Sequence, residues 1–143
     1  MKPSRFAKRW MRSMQTTYST PRLLLTKGQG AYLFDSKGAK YVDFLGGIAT
    51  NALGHNHPKI VKAINSQVKK LGHVSNIYAH DPGLVLAENL VKMTGDDSSR
   101  VYFCNSGTEA VEAAIKLSRL TGRKQIISAH GSFHGRTMGS LSL

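Results

Sequence analysis

The sequence is poor in several residue types, and each shortage excludes a class of protein. It contains one cysteine, Cys104, so no intramolecular disulfide can form and a disulfide-stapled secreted domain is excluded. Its longest aliphatic run is Leu23-Leu24-Leu25, whereas a membrane-spanning helix needs about 20 apolar residues. No apolar stretch follows the basic N-terminus, which argues against a secretory signal. We therefore expect a soluble chain in a reducing compartment, without a membrane partner.

Acidic residues are also scarce, because 8 Asp and Glu stand against 20 Lys and Arg, for a net charge of +12. Such a balance raises the hypothesis of nucleic-acid binding. Much of the excess lies in an N-terminal arm that precedes the first acid, Asp35, and no RNA- or DNA-binding motif accompanies it. The arm places Phe6, Trp10 and Met14 on one helical face, which suits either a mitochondrial presequence or a helix packed on the domain or a partner chain.

The first half of the 143 residues predicts a hairpin followed by two helices. Residues 30–44 alternate aromatic β-formers around an Asp-Ser-Lys-Gly turn, and residues 45–58 are a glycine-rich loop. One helix is expected from a cap at Asn56 to Gly72, and a second from a cap at Asp81 to Gly95, since each has an early proline and a closing glycine.

The second half predicts a strand, helix and strand. Residues 100–104 and 125–128 are strand-like, and a helix over 108–120 joins them, so the two strands should be parallel in an α/β fold. Residues 138–143 alternate apolar and polar residues without a closing signal, so we expect the chain to stop inside a fold.

The join between the first of these strands and its helix allows two interpretations. Free backbone amides at the start of a helix bind anions, and Gly107 leaves room for a phosphate while Ser106 and Thr108 add hydroxyl groups. Alternatively, Ser106 and Glu109 have the spacing of a capping box, which satisfies the helix start without a ligand. The two interpretations are compatible.

A second informative segment follows the second strand. Phe133, His134 and Arg136 should face the same crevice as the join, because strand ends in an open α/β sheet line the ligand site. They offer a stacking face, a hydrogen-bonding ring and a carboxylate clamp. Taken singly, each is more often a core phenylalanine, a surface histidine or an arginine paired with a nearby acid. Their occurrence together after a turn that can bind phosphate favours a site.

Other site types find little support in the residues. The chain has no P-loop motif, no complete dinucleotide fingerprint and no G-x-S-x-G elbow. His55-x-His57 and His130-x3-His134 lack a supporting cluster of Cys or carboxylates, so we assign no metal site. His55 and His57 are expected to brace the turn before the first of the two predicted helices.

The sequence resembles the N-terminal part of class III, fold-type I pyridoxal-phosphate aminotransferases. The similar stretches are "YLFDSKGAKYVDFLGGIATNALGHNHP", "VSNIYAHDPGLVLAENLV", "FCNSGTEAVEAAIKLSR" and "FHGRTMGSLSL", which cover nearly everything from Tyr32 onward. The segment "RWMRSMQTTYSTP" is similar too, so a cleaved presequence becomes the lesser interpretation of the arm. Val111 departs from the asparagine common at that position, a change we expect to be tolerated.

The resemblance implies roles for individual residues. Gly107 and Thr108, with Ser106 alongside, match the turn that binds the phosphate of pyridoxal 5'-phosphate, and Phe133 matches the aromatic residue that stacks on its ring. Arg136 matches the arginine that takes the substrate's α-carboxylate. Ile48 matches a position where the ornithine-specific relatives carry a tyrosine that meets the free α-amino group.

An apolar Ile48 suits an acylated nitrogen, because it offers no polar partner to a charged amine. The implied activity is transfer of the terminal amino group of N-acetylornithine to 2-oxoglutarate in arginine biosynthesis. Succinyl-diaminopimelate or ornithine as the amino donor, and a non-catalytic basic fragment that binds nucleic acid or a protein, are the alternatives.

The resemblance also implies a division of the chain. Residues 1–54 would form the arm and a small-domain hairpin, and residues 55–143 the first part of a large cofactor-binding domain with a mostly parallel sheet. The family's cofactor-binding lysine would lie beyond residue 143, so we assign no catalytic lysine and expect the isolated chain to be inactive. We expect a homodimer at full length, a cytoplasmic location with the mitochondrial matrix as the alternative, and no nucleic-acid partner.

Overall fold

The computed structural model describes residues 3–143, which separate into two compact units between residues 74 and 75. The expected boundary between residues 54 and 55 falls inside the first unit and stays a prediction about the complete protein. The first unit contains α1 (Arg5–Ser13), β1 (Leu25–Gln29), β2 (Tyr32–Asp35), β3 (Lys40–Val42), the single turn α2 (Gly46–Ala49) and α3 (Pro58–Val68). The second contains α4 (Asp81–Thr94), α5 (Gly107–Arg119) and the short α6 (Met138–Leu141).

The N-terminal arm forms the expected amphipathic helix. Ser4 caps α1, because its hydroxyl oxygen accepts a hydrogen bond from the amide of Ala7 at 3.3 Å. Phe6 and Trp10 lie within α1, and Met14 is its C-terminal cap. None of the helices in the described part of the chain is both long and apolar enough to cross a bilayer.

The predicted hairpin is present as β2 and β3, which pair in antiparallel fashion with Leu33 opposite Tyr41. The Asp35 carboxylate shapes the turn by accepting hydrogen bonds from the amides of Lys37 at 2.8 Å and Ala39 at 2.9 Å. The sequence analysis missed a third strand, β1, which pairs with the other edge of β2. Its Lys-Gly-Gln stretch lacks the alternation that marks a strand.

The glycine-rich loop contains four successive residues with positive φ, between 53° and 64° at Gly46, Gly47, Ile48 and Ala49. Such a conformation is costly for a β-branched residue, so the surrounding structure has to hold it. Asp43 does so by accepting hydrogen bonds from the amides of Leu45 at 3.1 Å and Gly46 at 3.0 Å. Its other oxygen lies 2.7 Å from His55 Nε2.

Hydrogen bonds to Asp43 lower the pKa of its carboxyl, first that from the Gly46 amide and then that from the His55 ring. His55 in turn packs against Gly28, where a Cβ would lie 2.6 Å from its ring carbon Cγ. The expected bracing role of His55 is therefore fulfilled through the Asp43 carboxylate.

The helices α3 and α4 form in the predicted regions, but their N-caps differ from the prediction by one residue, and α3 ends at Val68 instead of at Gly72. His57 precedes α3, while Asn56 donates from its side chain to the carbonyl of Gly28 at 2.6 Å. His80 caps α4, because its Nδ1 accepts from the amide of Gly83 at 3.2 Å. The His57 side chain, by contrast, makes no capping hydrogen bond. Gly95 ends α4 in the left-handed conformation, as predicted.

The predicted parallel pair of strands is not formed within residues 3–143. Residues 100–104 and 125–128 belong to no strand, and the one sheet in this range is the antiparallel sheet β1-β2-β3. The correction has a physical reason, because a strand exists only when a neighbour takes its backbone hydrogen bonds. The alternating apolar and polar residues near the C-terminus do not form a strand either, because residues 138–141 fold as the short helix α6. The mixed α and β composition agrees with the predicted class.

The described residues bury very little apolar surface. Among them only Ala7, Gly135 and Ser140 are buried, and the predicted apolar stripe of α3 is open, with Ile64 and Val68 each 60% exposed. The accessible surface is 12903 Å² for 15.6 kDa. A folded monomer of that mass exposes about 7,250 Å². The described residues therefore expose far more surface than a folded monomer of this mass, and many large apolar side chains are part of it.

Candidate functional site

Apart from Ile48, the site residues predicted from the sequence come together in one cleft of the second unit. The cleft has a volume of about 450 Å³. Its walls are the start of α5 on one side and the segment before α6 on the other. The lining residues are Ser106, Gly107, Thr108, Val111, Phe133, His134, Gly135 and Arg136.

The start of α5 combines a cap with unused amides. The Ser106 hydroxyl oxygen accepts from the amide of Glu109 at 3.3 Å, which is one half of the predicted capping box. The Glu109 carboxylate reaches one residue further than a standard box and accepts from the amide of Asn105 at 2.5 Å. Within residues 3–143 the amides of Gly107 and Thr108 make no hydrogen bond. Both are therefore available to an anion in the cleft.

Gly107 leaves the front of these amides open. A Cβ built on this residue would meet no atom within 4 Å, so the space it would fill belongs to the cleft. The positive end of the helix dipole faces the same space. An anion the size of a phosphate group is what such a cradle binds.

The opposite wall supplies an aromatic face and a positive charge. Phe133 is 73% exposed, and the guanidinium carbon of Arg136 lies 5.3 Å from the centre of its ring. Arg136 is the one residue with a permanent charge among those that line the cleft. The wall can thus stack a flat ring and bind a carboxylate.

A network of hydroxyl groups ties the two walls together. The Thr108 hydroxyl lies 2.8 Å from the Thr137 hydroxyl and 2.5 Å from that of Ser140. The sequence analysis offered the Thr108 hydroxyl to a phosphate, whereas the structure engages it within the protein. Gly135 makes this approach possible, because a Cβ there would lie 2.5 Å from Thr108 Cβ. At the start of α5, the groups available to a ligand are therefore chiefly the backbone amides of Gly107 and Thr108.

The Glu112 carboxylate joins the same network. Its Oε1 accepts hydrogen bonds from the hydroxyl of Thr137 and from the amides of Gly139 at 2.9 Å and Ser140 at 3.1 Å. These bonds, with that of Thr137 the largest influence, hold the pKa of Glu112 below its ordinary value. The pKa of Glu109 is lowered first by the amide hydrogen bond from Asn105. Neither carboxylate lines the cleft, so its electrostatic character stays positive.

Sequence reasoning missed Glu112, Thr137 and Ser140. Polar residues 25 to 32 positions apart carry no periodic signal that links them. Ile48 lies in the other unit, and its predicted substrate contact stays a prediction. No group of three His, Cys, Asp or Glu side chains assembles as a metal site in the part of the chain that the structure describes.

The fold and the cleft define a class of protein. A mixed α/β chain with free helix-start amides, an aromatic face and an arginine around one cavity belongs to the proteins that bind a flat, anionic ligand. Residues 13–143 match the family described as aminotransferase class-III. The chain belongs to this family.

Individual relatives and solved structures agree with that membership. An acetylornithine aminotransferase of Mycobacterium bovis is 55% identical over 136 residues, which are 94% of this chain and 34% of the relative. A taurine:2-oxoglutarate aminotransferase from Bifidobacterium kashiwanohense, solved in complex with PLP and glutamate, is 33% identical with a TM-score of 0.86. The match covers 98% of this chain and 33% of that structure.

An N-acetylornithine aminotransferase from Stenotrophomonas maltophilia is 43% identical with a TM-score of 0.71, over 82% of this chain and 34% of that structure. The chain thus spans about a third of the length of the relatives it matches.

Proposed function

We propose that this chain is part of a pyridoxal-phosphate-dependent aminotransferase that transfers the terminal amino group of N2-acetyl-L-ornithine to 2-oxoglutarate, a step of arginine biosynthesis. The observation that carries the proposal is the single cleft in which the free amides of Gly107 and Thr108 lie opposite Phe133 and Arg136. Relatives at 55% identity named acetylornithine aminotransferase support the choice of amino donor.

The cleft fits the cofactor in its chemistry and in its space. The Gly107 and Thr108 amides would hold the phosphate, because they are unpaired, lie at the positive end of α5 and face a volume that a Cβ would occupy. Phe133 would stack on the pyridine ring. When bound, the cofactor supplies the electron sink for the amino-group transfer.

Arg136 would bind the substrate's α-carboxylate through its two-pronged guanidinium group. Its place 5.3 Å from the Phe133 ring would keep the bound amino acid beside the face that stacks on the cofactor. Such orientation lowers the barrier because the reacting groups no longer have to find each other. Ile48 would contact the acylated nitrogen of the substrate and reject a charged amine there.

The activity belongs, in this proposal, to a longer polypeptide that supplies the cofactor-binding lysine. No lysine of this chain has a matching context, and the relatives are about three times as long. The large exposed apolar surface supports the same idea, because residues 3–143 leave the stripes of their helices uncovered. The proposal includes a dimer and a cytoplasmic location for the complete protein.

A substitution at Gly107 tests the cofactor site in the complete polypeptide that carries these residues. Gly107→Ala places a methyl group where the phosphate would sit, and we expect roughly tenfold weaker binding of pyridoxal phosphate because the anion moves away from the amides. Alanine favours the helix more than glycine does, so the fold should not weaken. The measurement is a titration of the apoprotein followed by cofactor fluorescence.

Pyridoxal, which lacks the phosphate, is the matched control ligand. Its affinity should be nearly equal for the parent and Gly107→Ala, because the two forms differ only at the phosphate position. An unchanged affinity for pyridoxal phosphate would refute the assignment of this turn. Turnover of acetylornithine no faster than that of ornithine would refute the choice of substrate while leaving the cofactor site in place.

A further inference from the structure

Glu112 forms hydrogen bonds with three residues that are distant in sequence, and it lies outside the cleft. Glu112 stands on the second turn of α5, one turn beyond the amides that face the cleft. One of its carboxylate oxygens accepts three hydrogen bonds, from the side chain of Thr137 and the amides of Gly139 and Ser140. All three donors belong to the start of α6.

The anchored segment carries the arginine of the cleft. Arg136 precedes Thr137 directly, and Phe133 lies three residues further back. The Thr137 and Ser140 hydroxyls also contact the hydroxyl of Thr108, at 2.8 Å and 2.5 Å. Ser140 is 2% exposed, so this polar contact is shielded from water. The segment is therefore fastened to α5 at two successive turns of that helix.

The fastening depends on close packing of the backbone. A Cβ on Gly139 would lie 3.0 Å from the Glu112 carboxyl carbon Cδ. The charged form of Glu112 suits this position, because a carboxylate accepts several hydrogen bonds and donates none. A glutamine would retain one accepting oxygen but lose the charge that strengthens all three bonds.

We propose that Glu112 is a positioning residue of this site, which holds residues 137–140 against α5 and thereby sets Arg136 opposite the amides of Gly107 and Thr108. Glu112 touches neither the cofactor nor the substrate in this proposal. The identity of the group that Arg136 binds rests on the proposed function. The position of the segment does not depend on it.

A positioning role of Glu112 predicts different effects on carboxylate binding and on phosphate binding. Loss of Glu112 removes one of the two attachments of the segment that follows Arg136 and loosens it, whereas the amides at the start of α5 keep their helix and their Ser106 cap. Carboxylate binding should therefore fall while phosphate binding persists. A residue that only stabilised the fold would weaken both together.

The test uses Glu112→Gln and Glu112→Ala in the complete polypeptide, with Glu88→Gln as the matched control. Glu88 is an exposed glutamate on α4, remote from the network in sequence. Two affinities are measured by calorimetry: that of the apoprotein for inorganic phosphate, and that of the cofactor-loaded protein for glutarate, a dicarboxylate without an amino group. Hydrogen exchange at the Gly139 and Ser140 amides is followed in the apoprotein.

We expect roughly tenfold weaker glutarate binding in Glu112→Ala, a smaller loss in Glu112→Gln, and phosphate affinity within about twofold of the parent in both. Amide exchange at Gly139 and Ser140 should be faster in Glu112→Ala than in the parent. The control should resemble the parent in all three measurements.

Unchanged glutarate affinity in Glu112→Ala would overturn the proposal, and so would an equal loss of phosphate and glutarate binding with a lower melting temperature. A parent protein that binds no glutarate would contradict the proposed function of Arg136 alone. In that case the exchange rates at Gly139 and Ser140 decide the positioning role, which fails if they are equal in parent and variant.

Discussion

Replacing Gly135 by alanine tests the contact between the two walls of the cleft. Gly135 is buried and has a φ of +133°, a conformation that residues with a Cβ rarely adopt. A Cβ at this position would lie 2.5 Å from Thr108 Cβ and 2.6 Å from Ser140 Oγ. Since carbon atoms pack at roughly 3.5–4.0 Å, the walls would have to separate by about 1 Å.

The magnitude follows from two terms. The backbone conformation costs a residue with a Cβ on the order of 1–3 kcal/mol. Overpacking against Thr108 and Ser140 adds about 1–3 kcal/mol. Gly131→Ala is the matched control, because Gly131 also has a positive φ, +76°, but a Cβ there meets nothing within 4 Å. The control carries only a backbone term, and that term is no larger than the one at Gly135, so the excess of Gly135→Ala over it should be at least about 1–3 kcal/mol.

The assay is denaturant unfolding of the complete polypeptide without ligands, with equal m-values as the check that the unfolded states are comparable. If the segment moves instead of unfolding the protein, the excess appears as weaker glutarate binding by the cofactor-loaded form. Equal stability and equal glutarate affinity of the Gly135→Ala and Gly131→Ala proteins would refute the close contact of Gly135 with Thr108.

Two further predictions concern acid and substrate choice. The pKa of Glu109 is lowered from the ordinary 4.5 chiefly by the hydrogen bond from the Asn105 amide, and that of Glu112 chiefly by the bond from the Thr137 hydroxyl. Each ionised carboxylate therefore stabilises the folded protein fully above pH 4.5. This stabilisation is lost as the pH falls through the lower pKa of the folded state. Unfolding free energies measured between pH 6 and pH 3 should fall less steeply below about 4.5 in Glu112→Gln than in the parent; parallel curves would contradict this. Ile48→Tyr should raise the kcat/KM for ornithine relative to that for acetylornithine, because the tyrosine hydroxyl offers a polar partner to the free amine. Tyrosine is not β-branched, so it should adopt the φ of +60° at this position at no greater cost than isoleucine. An unchanged ratio in steady-state kinetics with both substrates would count against the role of Ile48.

Local signals predicted the helices and the hairpin well. The helices α3 and α4 each have a proline near their start. In the turn between β2 and β3, the Asp35 carboxylate accepts a hydrogen bond from a backbone amide. The caps were predicted one residue away from their positions, at Asn56 and Asp81 instead of His57 and His80. Histidine is not among the preferred capping residues, and of the two only His80 accepts a hydrogen bond from a helix-start amide.

Features that depend on residues distant in sequence could not be predicted from local patterns. The third strand β1 exists because β2 offers it an edge, and its own residues do not alternate. The parallel strands were predicted from their β-forming residues, yet residues 100–104 and 125–128 have no strand beside them within the described range. Strand formation is a property of a pair, so a single segment cannot establish it.

By itself, the sequence determined the identity of the groups at the site: a capped helix start with Gly107, an aromatic residue and an arginine after the next apolar run. These depend on residue type and on spacings of a few positions, which local steric and hydrogen-bonding rules govern. The sequence also predicted that Phe133 and Arg136 face the same crevice as that helix start. Only the tertiary structure revealed the hydrogen bonds of Glu112 and Thr108 to residues 137–140, the segment that follows Arg136. These hydrogen bonds join residues 25 to 32 positions apart, where the closing of the chain, and not its local pattern, brings donor and acceptor together.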